Sequence, residues 1–349
     1  LFLRPRRFGK SLWLSTLENY YDLARADDFE RLFGGLKIGQ NPTPRRNRYF
    51  ILNLNFSVVD PHGDSDAVRA SLFHHLNIQI KATVARYSDW LEDRVDIEPD
   101  DGIASFQSLT NAIAQTPYKL YLLVDEYDNF ANEVMISPLH GTDRYQRLVE
   151  NEGTIKTFFK AVKAAAEGRG VDRVFLTGIS PVVLSDITSG YNVAEDLSQR
   201  PRFHDLCGFT EAELRVTLEA VAVAHSLDAA QVDTALTLMR DFYNGYRFTL
   251  QHDERIYNPT LVLYFLKRLA EDGVIPTRLL DDNLAMDRNR IQYVTRLPHG
   301  EALVNRALNP AEPLAIPQLV NRFGVQDMLT APRNPDFLAT LLYYFGVLT

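Results

Sequence analysis

The chain has 349 residues, 46% of them hydrophobic and 23% charged, which is ordinary globular composition and long enough for two domains. Its net charge of −8 is uneven, with ten Lys/Arg against five Asp/Glu in residues 1–50 and 27 against 40 in the remainder. The acidic whole argues against strong non-specific DNA binding, no apolar run approaches the ~18 residues of a membrane span, and a lone cysteine, Cys207, excludes an internal disulfide framework.

The first motif stands at the start of the chain. An apolar Leu1-Phe-Leu runs into Arg4-Pro-Arg6-Arg7-Phe8-Gly9-Lys10-Ser11, and a helical pattern follows over residues 11–24 with Leu14, Leu17, Tyr20 and Tyr21. Strand, loop, helix is the order of a phosphate-binding P-loop. Gly9 lets backbone approach a phosphate, and the helix N-terminus supplies N–H donors and the positive end of its dipole. Lys10 would reach the β/γ-phosphates and the Ser11 hydroxyl would ligate Mg²⁺. Arg6, Arg7, Phe8, Gly9, Lys10, Ser11 and Leu12 are therefore the candidate nucleotide contacts. Arg4 occupies the position where the full pattern has its first glycine, and Gly-Lys-Ser alone reads equally as a helix start with Ser11 in its first turn.

After a connector at Asn41-Pro-Thr-Pro44, Arg45, Arg46 and Arg48 read as a solvated loop or as a nucleic-acid contact. Tyr49–Phe56 has strand composition. Asp66 is expected to N-cap a helix with a core stripe of Val68, Leu72, Leu76, Ile80 and Val84, and a shorter helix follows with Ile103, Phe106, Leu109 and Ile113.

The second motif is Tyr118–Val124 followed by Asp125-Glu126-Tyr127-Asp128. An apolar strand ending abruptly in acids fits a buried parallel strand whose C-terminal end opens on a site, the Walker B position. Asp125 would hold Mg²⁺ and Glu126 would polarise the attacking water as general base. A helix with Ile155, Phe158, Phe159, Val162 and Ala166 leads to the strand Arg173–Ser180, where Thr177, with Ser180 as runner-up, is the candidate γ-phosphate sensor. A strand-end threonine also occurs without such a role. One more short strand is expected near His204–Phe209. Strands alternating with helices imply right-handed βαβ units and a parallel α/β sheet.

Beyond Phe209 the pattern turns helical. Thr210-Glu-Ala-Glu213 is a capping box opening a helix with Leu214, Leu218 and Val221. Two further stripes are Val232, Leu236, Met239, Phe242 and Leu261, Phe265, Leu269. Cys207 reads as a small core residue of a protein from a reducing compartment. The eight histidines show no metal-ligand spacing.

Five strings occur in this order: Arg4-Pro-Arg-Arg-Phe-Gly-Lys-Ser11, Val124-Asp-Glu-Tyr-Asp128, Phe175-Leu-Thr-Gly-Ile-Ser180, Cys207-Gly-Phe-Thr-Glu211 and Tyr243-Asn-Gly-Tyr-Arg-Phe248. Together they resemble the AAA-ATPase-like family of mostly bacterial proteins, which often carry a C-terminal nuclease domain of the PD-(D/E)XK type. The resemblance is strongest over residues 1–275, and the family shares the missing first glycine. It implies an α/β P-loop NTPase sheet flanked by helices, of the AAA type and the additional-strand catalytic-Glu class, over 1–209. An α-helical lid is implied at 210–275, and a mostly helical region at 276–349 that stops before any nuclease domain. ATP and Mg²⁺ are the implied ligands, with Lys10 and Ser11 on phosphate and metal and Asp125 and Glu126 at Walker B. Arg247 reads either as a lid arginine reaching the γ-phosphate or as a surface residue after a helix C-cap at Asn244 and Gly245.

The chain begins inside a strand without Met and ends on an apolar run, so both ends are expected to be cut from a longer protein. The expected activity is cytoplasmic, Mg²⁺-dependent ATP hydrolysis with Glu126 activating water. An arginine finger would come from a partner or a neighbouring subunit of a possible homo-oligomer, and nucleic acid would be met through the missing nuclease domain. The rival expectation is a nucleotide-operated switch that controls such a nuclease or another partner with little turnover.

Overall fold

The computed structural model describes residues 1–60, 65–129, 142–181, 194–279, 292, 294–307, 309, 316, 319–320 and 334–348. Four strands, β1 (Phe2–Leu3), β2 (Tyr49–Asn55), β3 (Lys119–Asp125) and β4 (Val171–Gly178), form one sheet in the order β1-β4-β3-β2. β3 runs parallel to both β2 and β4, with Asn55 opposite Asp125 and Leu176 opposite Val124. The strand that comes last in sequence thus lies between the strand of the first motif and the strand of the second.

Alternation along each strand splits the sheet into two apolar faces. Tyr49, Ile51, Tyr121 and Leu123 pack with Leu14 of α1 (Lys10–Tyr21) and with Leu17 and Tyr21 beside it. The intervening residues Phe50, Leu52, Leu54, Leu120, Leu122 and Val124 are also buried. Helices α2 (Ser65–Arg86), α3 (Gly102–Ala114) and α4 (Thr142–Ala166) pack on one another and on the strands. Their stripes match the 3.6-residue period with small corrections. Val68, Leu72, Leu76 and Ile80 are buried as expected, but Thr83 rather than Val84 closes the stripe, and in α4 Ala165 rather than Ala166 is buried. Asp66 lies inside the first turn of α2 and pairs with Arg69, so it does not stand at the N-cap.

The chain divides into two compact units. The first comprises the described residues of Leu1–Phe2 and Ser11–Glu195. The second comprises Leu3–Lys10, Asp196–Val320 and Pro332–Thr349. In the second unit, α5 (Glu211–His225), α6 (Ala229–Tyr243) and α7 (Pro259–Asp272) enclose Leu214, Leu218, Leu236, Met239, Phe265 and Leu269. Each start is capped by a side chain that satisfies otherwise orphaned N–H groups: Thr210 with Glu213, Asp228 with Gln231, and Asn258 ahead of Pro259. Phe242 is exposed, and Tyr243 takes the core position one residue on.

The strand expected at His204–Phe209 is absent. A single 3-10 turn at Pro201–Phe203 is followed by turns, and only Phe209 pairs, in an isolated bridge with Tyr257. Gly208 at φ +104° and the cap at Thr210 leave no room for an extended run. Two more helices, α8 (Gly300–Ala307) and α9 (Pro335–Tyr344), belong to the stretch expected to be mostly helical, much of which lies outside the described residues.

Candidate functional site

In the first unit the chemistry gathers where β3 ends. Ser11, one residue into α1, donates its hydroxyl to Asp125 Oδ2 at 2.6 Å, although 114 residues separate the two in sequence. Asp125 is buried, and its Oδ1 accepts the Glu126 N–H at 3.0 Å. The next four residues form a turn. Glu126 adopts φ +53°, a left-handed conformation that costs a non-glycine residue about 1–2 kcal/mol. The Asn129 N–H donates to the Glu126 carbonyl at 3.0 Å.

The remaining residues of that turn each reach a neighbouring strand end. The Tyr127 N–H donates to Thr177 O at 3.1 Å, and its hydroxyl to Ser180 O at 2.7 Å. Asp128 Oδ2 accepts the Ser180 N–H at 2.8 Å and the Ser180 hydroxyl at 2.9 Å, and the carboxylate also takes the Ile179 N–H at 3.2 Å. Asn129 Nδ2 donates to Phe56 O, just past β2, at 3.3 Å. Thr177 is wholly buried and donates its hydroxyl to Phe2 O of β1 at 2.8 Å. Both sensor candidates therefore have their hydroxyls engaged within the protein, Thr177 on β1 and Ser180 on Asp128.

In the second unit the loop Leu3–Lys10 is built around a buried cation. Arg4 is 1% exposed, and its Nη1 donates to Leu3 O and Ser198 O at 2.8 Å each. Its Nη2 donates to Phe203 O at 2.7 Å, and the guanidinium lies 3.8 Å from the Phe248 ring centre. Burial pulls its pKa down to about 10. Arg4, at the position where the full motif has its first glycine, clamps backbone carbonyls with its side chain. Phe8 is buried edge-on against Tyr246 and Phe248, with ring centres 4.7 and 5.3 Å away. Thr260 fixes the far side of the loop by donating its hydroxyl to Arg7 O at 2.7 Å.

Arg6 and Arg7 are exposed, Arg7 at φ +66° and Gly9 at φ +82°. A Cβ at Gly9 would meet nothing within 4 Å, so the glycine answers to its φ rather than to crowding by protein. Lys10 is buried, with Nζ donating to Arg4 O at 3.1 Å and Pro5 O at 3.2 Å. Leu12, the last of the sequence candidates, is 72% exposed on α1.

The guanidinium of Arg247 serves its own loop: it donates to Thr249 O, Leu250 O and His252 O and pairs with Asp253. Asn244 is the C-cap of α6, as expected. Of the basic cluster, Arg45 bridges Tyr49 and Asp172, and Arg46 lies over the Phe29 ring. Among the described residues no group of three or more His, Cys, Asp or Glu could hold a metal ion, and no helix is long and apolar enough to cross a membrane.

Sequence reasoning missed Asp128, Asn129 and the clamp role of Arg4. The first carried a signal, a second aspartate three residues after Asp125, whereas nothing local marks an arginine for burial.

Residues 1–188 match the AAA-ATPase-like family, described as Predicted AAA-ATPase. The chain belongs to this family. The match covers both motifs and β4, and the AAA-ATPase-like assignment agrees with the parallel α/β sheet. The chain is also 28% identical over 269 residues to an uncharacterized protein in the vnfD 5' region of Azotobacter chroococcum mcd 1. That alignment takes in 76% of this chain and 44% of the relative, so the chain spans less than half the length of the curated protein it matches. No solved structure matches it.

Proposed function

We propose that this AAA-ATPase-like chain binds Mg²⁺–ATP through Arg6–Leu12 and hydrolyses it, with Glu126 as the general base. The observation that carries the reading is the 2.6 Å contact between Ser11 Oγ and Asp125 Oδ2. A hydroxyl and a carboxylate are the hard oxygen donors that Mg²⁺ prefers, and the ion takes its other positions from water and phosphate. Ser11 and Asp125 would hold it; when bound, it neutralises charge building on the phosphates.

The chain's own groups have separate tasks. The N–H groups of the loop and of the start of α1 bind phosphate oxygens, and Lys10 exchanges the carbonyls of Arg4 and Pro5 for the β/γ-phosphates, a stronger, charge-assisted partner. Glu126 takes the proton of the water that attacks the γ-phosphate. Thr177 acts indirectly, by tying β4 to β1. The position of β4 between β1 and β3, with a glutamate directly after Asp125, supports the additional-strand class. Residues 210–275, three side-chain-capped helices, are read as the lid. Arg247 stays outside the proposal, because reaching a phosphate would cost it the acceptors of its own loop.

The test is ATP affinity and steady-state phosphate release for the wild type, Lys10→Ala and Glu126→Gln. Lys10→Ala should abolish binding. Glu126→Gln should keep binding and lower release by about 10²–10⁴-fold, the usual contribution of a general base. Release that is unchanged in Glu126→Gln would sink the catalytic assignment and leave a nucleotide-operated switch.

A further inference from the structure

We propose that Asp128 is a positioning residue, which holds Glu126 in its left-handed conformation and so aims the base. The inference rests on the reading of Glu126 given above. Among the residues of the turn Asp125–Asn129, Glu126 alone has positive φ, at +53°. It is bracketed by anchors. Before it, Asp125 is fixed by the β3 ladder and by Ser11. After it, Asp128 collects three donors from one short segment, the N–H groups of Ile179 and Ser180 and the Ser180 hydroxyl. Glu126 cannot relax toward an extended conformation without lifting Asp128 from that seat or Asp125 from the ladder.

The seat is shaped for a carboxylate. A Cβ at Gly178 would come 2.4 Å from Asp128 Oδ1, so glycine is required where the two chain segments pass. Two N–H groups and a hydroxyl face this one acidic group, an all-acceptor seat in which the NH₂ of an amide would oppose one of the N–H donors. Tyr127 supports the same contact from the other side, with its hydroxyl on Ser180 O at 2.7 Å. A base that removes a proton in flight must be held in place, because a misplacement of about 1 Å costs roughly 10²-fold in rate.

The experiment uses the whole chain with Mg²⁺ and ATP. It measures kcat, nucleotide affinity and melting temperature for the wild type, Glu126→Gln, Asp128→Asn, Ser180→Ala and the Glu126→Gln/Asp128→Asn double variant. Asp128→Asn should lower kcat by about 10–100-fold while nucleotide affinity changes by less than about threefold. Ser180→Ala removes one donor and leaves the two backbone donors, so it should fold and lose kcat by a smaller factor. The double variant should release phosphate no more slowly than Glu126→Gln alone, since once the base is absent there is none left to misaim. A merely structural role would instead add the same loss in both backgrounds and would track the melting temperature.

Wild-type kcat in Asp128→Asn and Ser180→Ala, beside a lost kcat in Glu126→Gln, overturns the positioning role and leaves the base intact. Wild-type kcat in Glu126→Gln removes the base and the positioning role together. Should Asp128→Asn fail to fold, the kcat of Ser180→Ala decides.

Discussion

In the turn Asp125–Asn129 of the sheet unit, nearly every fixed group ends on a polar partner: a hydroxyl, a carbonyl or an N–H of a neighbouring segment. The loop Leu3–Lys10 of the helical unit is held by other means, with Arg4 buried among carbonyls and against Phe248, and Phe8 wedged between aromatic rings. Directional bonds fix angles and tolerate small changes of volume, whereas aromatic packing and a desolvated cation fix volume and tolerate little truncation. A turn that must aim a carboxylate suits the first, and a loop whose backbone must keep an unusual shape suits the second.

That contrast can be broken most forcefully at Arg4. Arg4→Ala leaves the carbonyls of Leu3, Ser198 and Phe203 buried without their donor, and it should cost about 3–5 kcal/mol in denaturant unfolding, the range for breaking a buried charge network. Phe8→Ala should cost a similar or slightly smaller amount, about 3–4 kcal/mol, from lost burial and the cavity left between Tyr246 and Phe248. In the polar turn, Tyr127→Phe removes one hydrogen bond to Ser180 O and should cost only about 1 kcal/mol by the same measurement. Equal losses at Phe8 and Tyr127 would erase the distinction.

The smallest effect concerns pH. His204 is buried near the Arg4 clamp, with Nε2 donating to Glu254 O at 2.8 Å and Nδ1 enclosed without a hydrogen-bond partner. Burial holds its pKa below the usual histidine value. The folded chain therefore keeps it neutral while the unfolded chain takes up a proton, so stability should fall as pH drops below about 6.5. A plot of melting temperature against pH reads this, and in His204→Gln the acid-side slope should be shallower.

Local pattern alone was enough for the strands around Tyr49 and Leu122, the stripes of α2, α3 and α4, and the capping box at Thr210, because each answers to a short period or a three-residue spacing. The pairing of Ser11 with Asp125 was legible for a related reason: both sit at ends of elements whose order in a P-loop is stereotyped. Tertiary structure decided what no window of sequence contains. It put β4 between β1 and β3, because strand order follows from how crossover helices pack rather than from strand composition. It buried Arg4, whose burial nothing local in the sequence marks, since only the folded chain brings Ser198, Phe203 and Phe248 together around it. It also made Asp128 a hub, because a carboxylate's partners are whatever N–H groups the fold delivers, and Ile179 and Ser180 lie some fifty residues further along the chain.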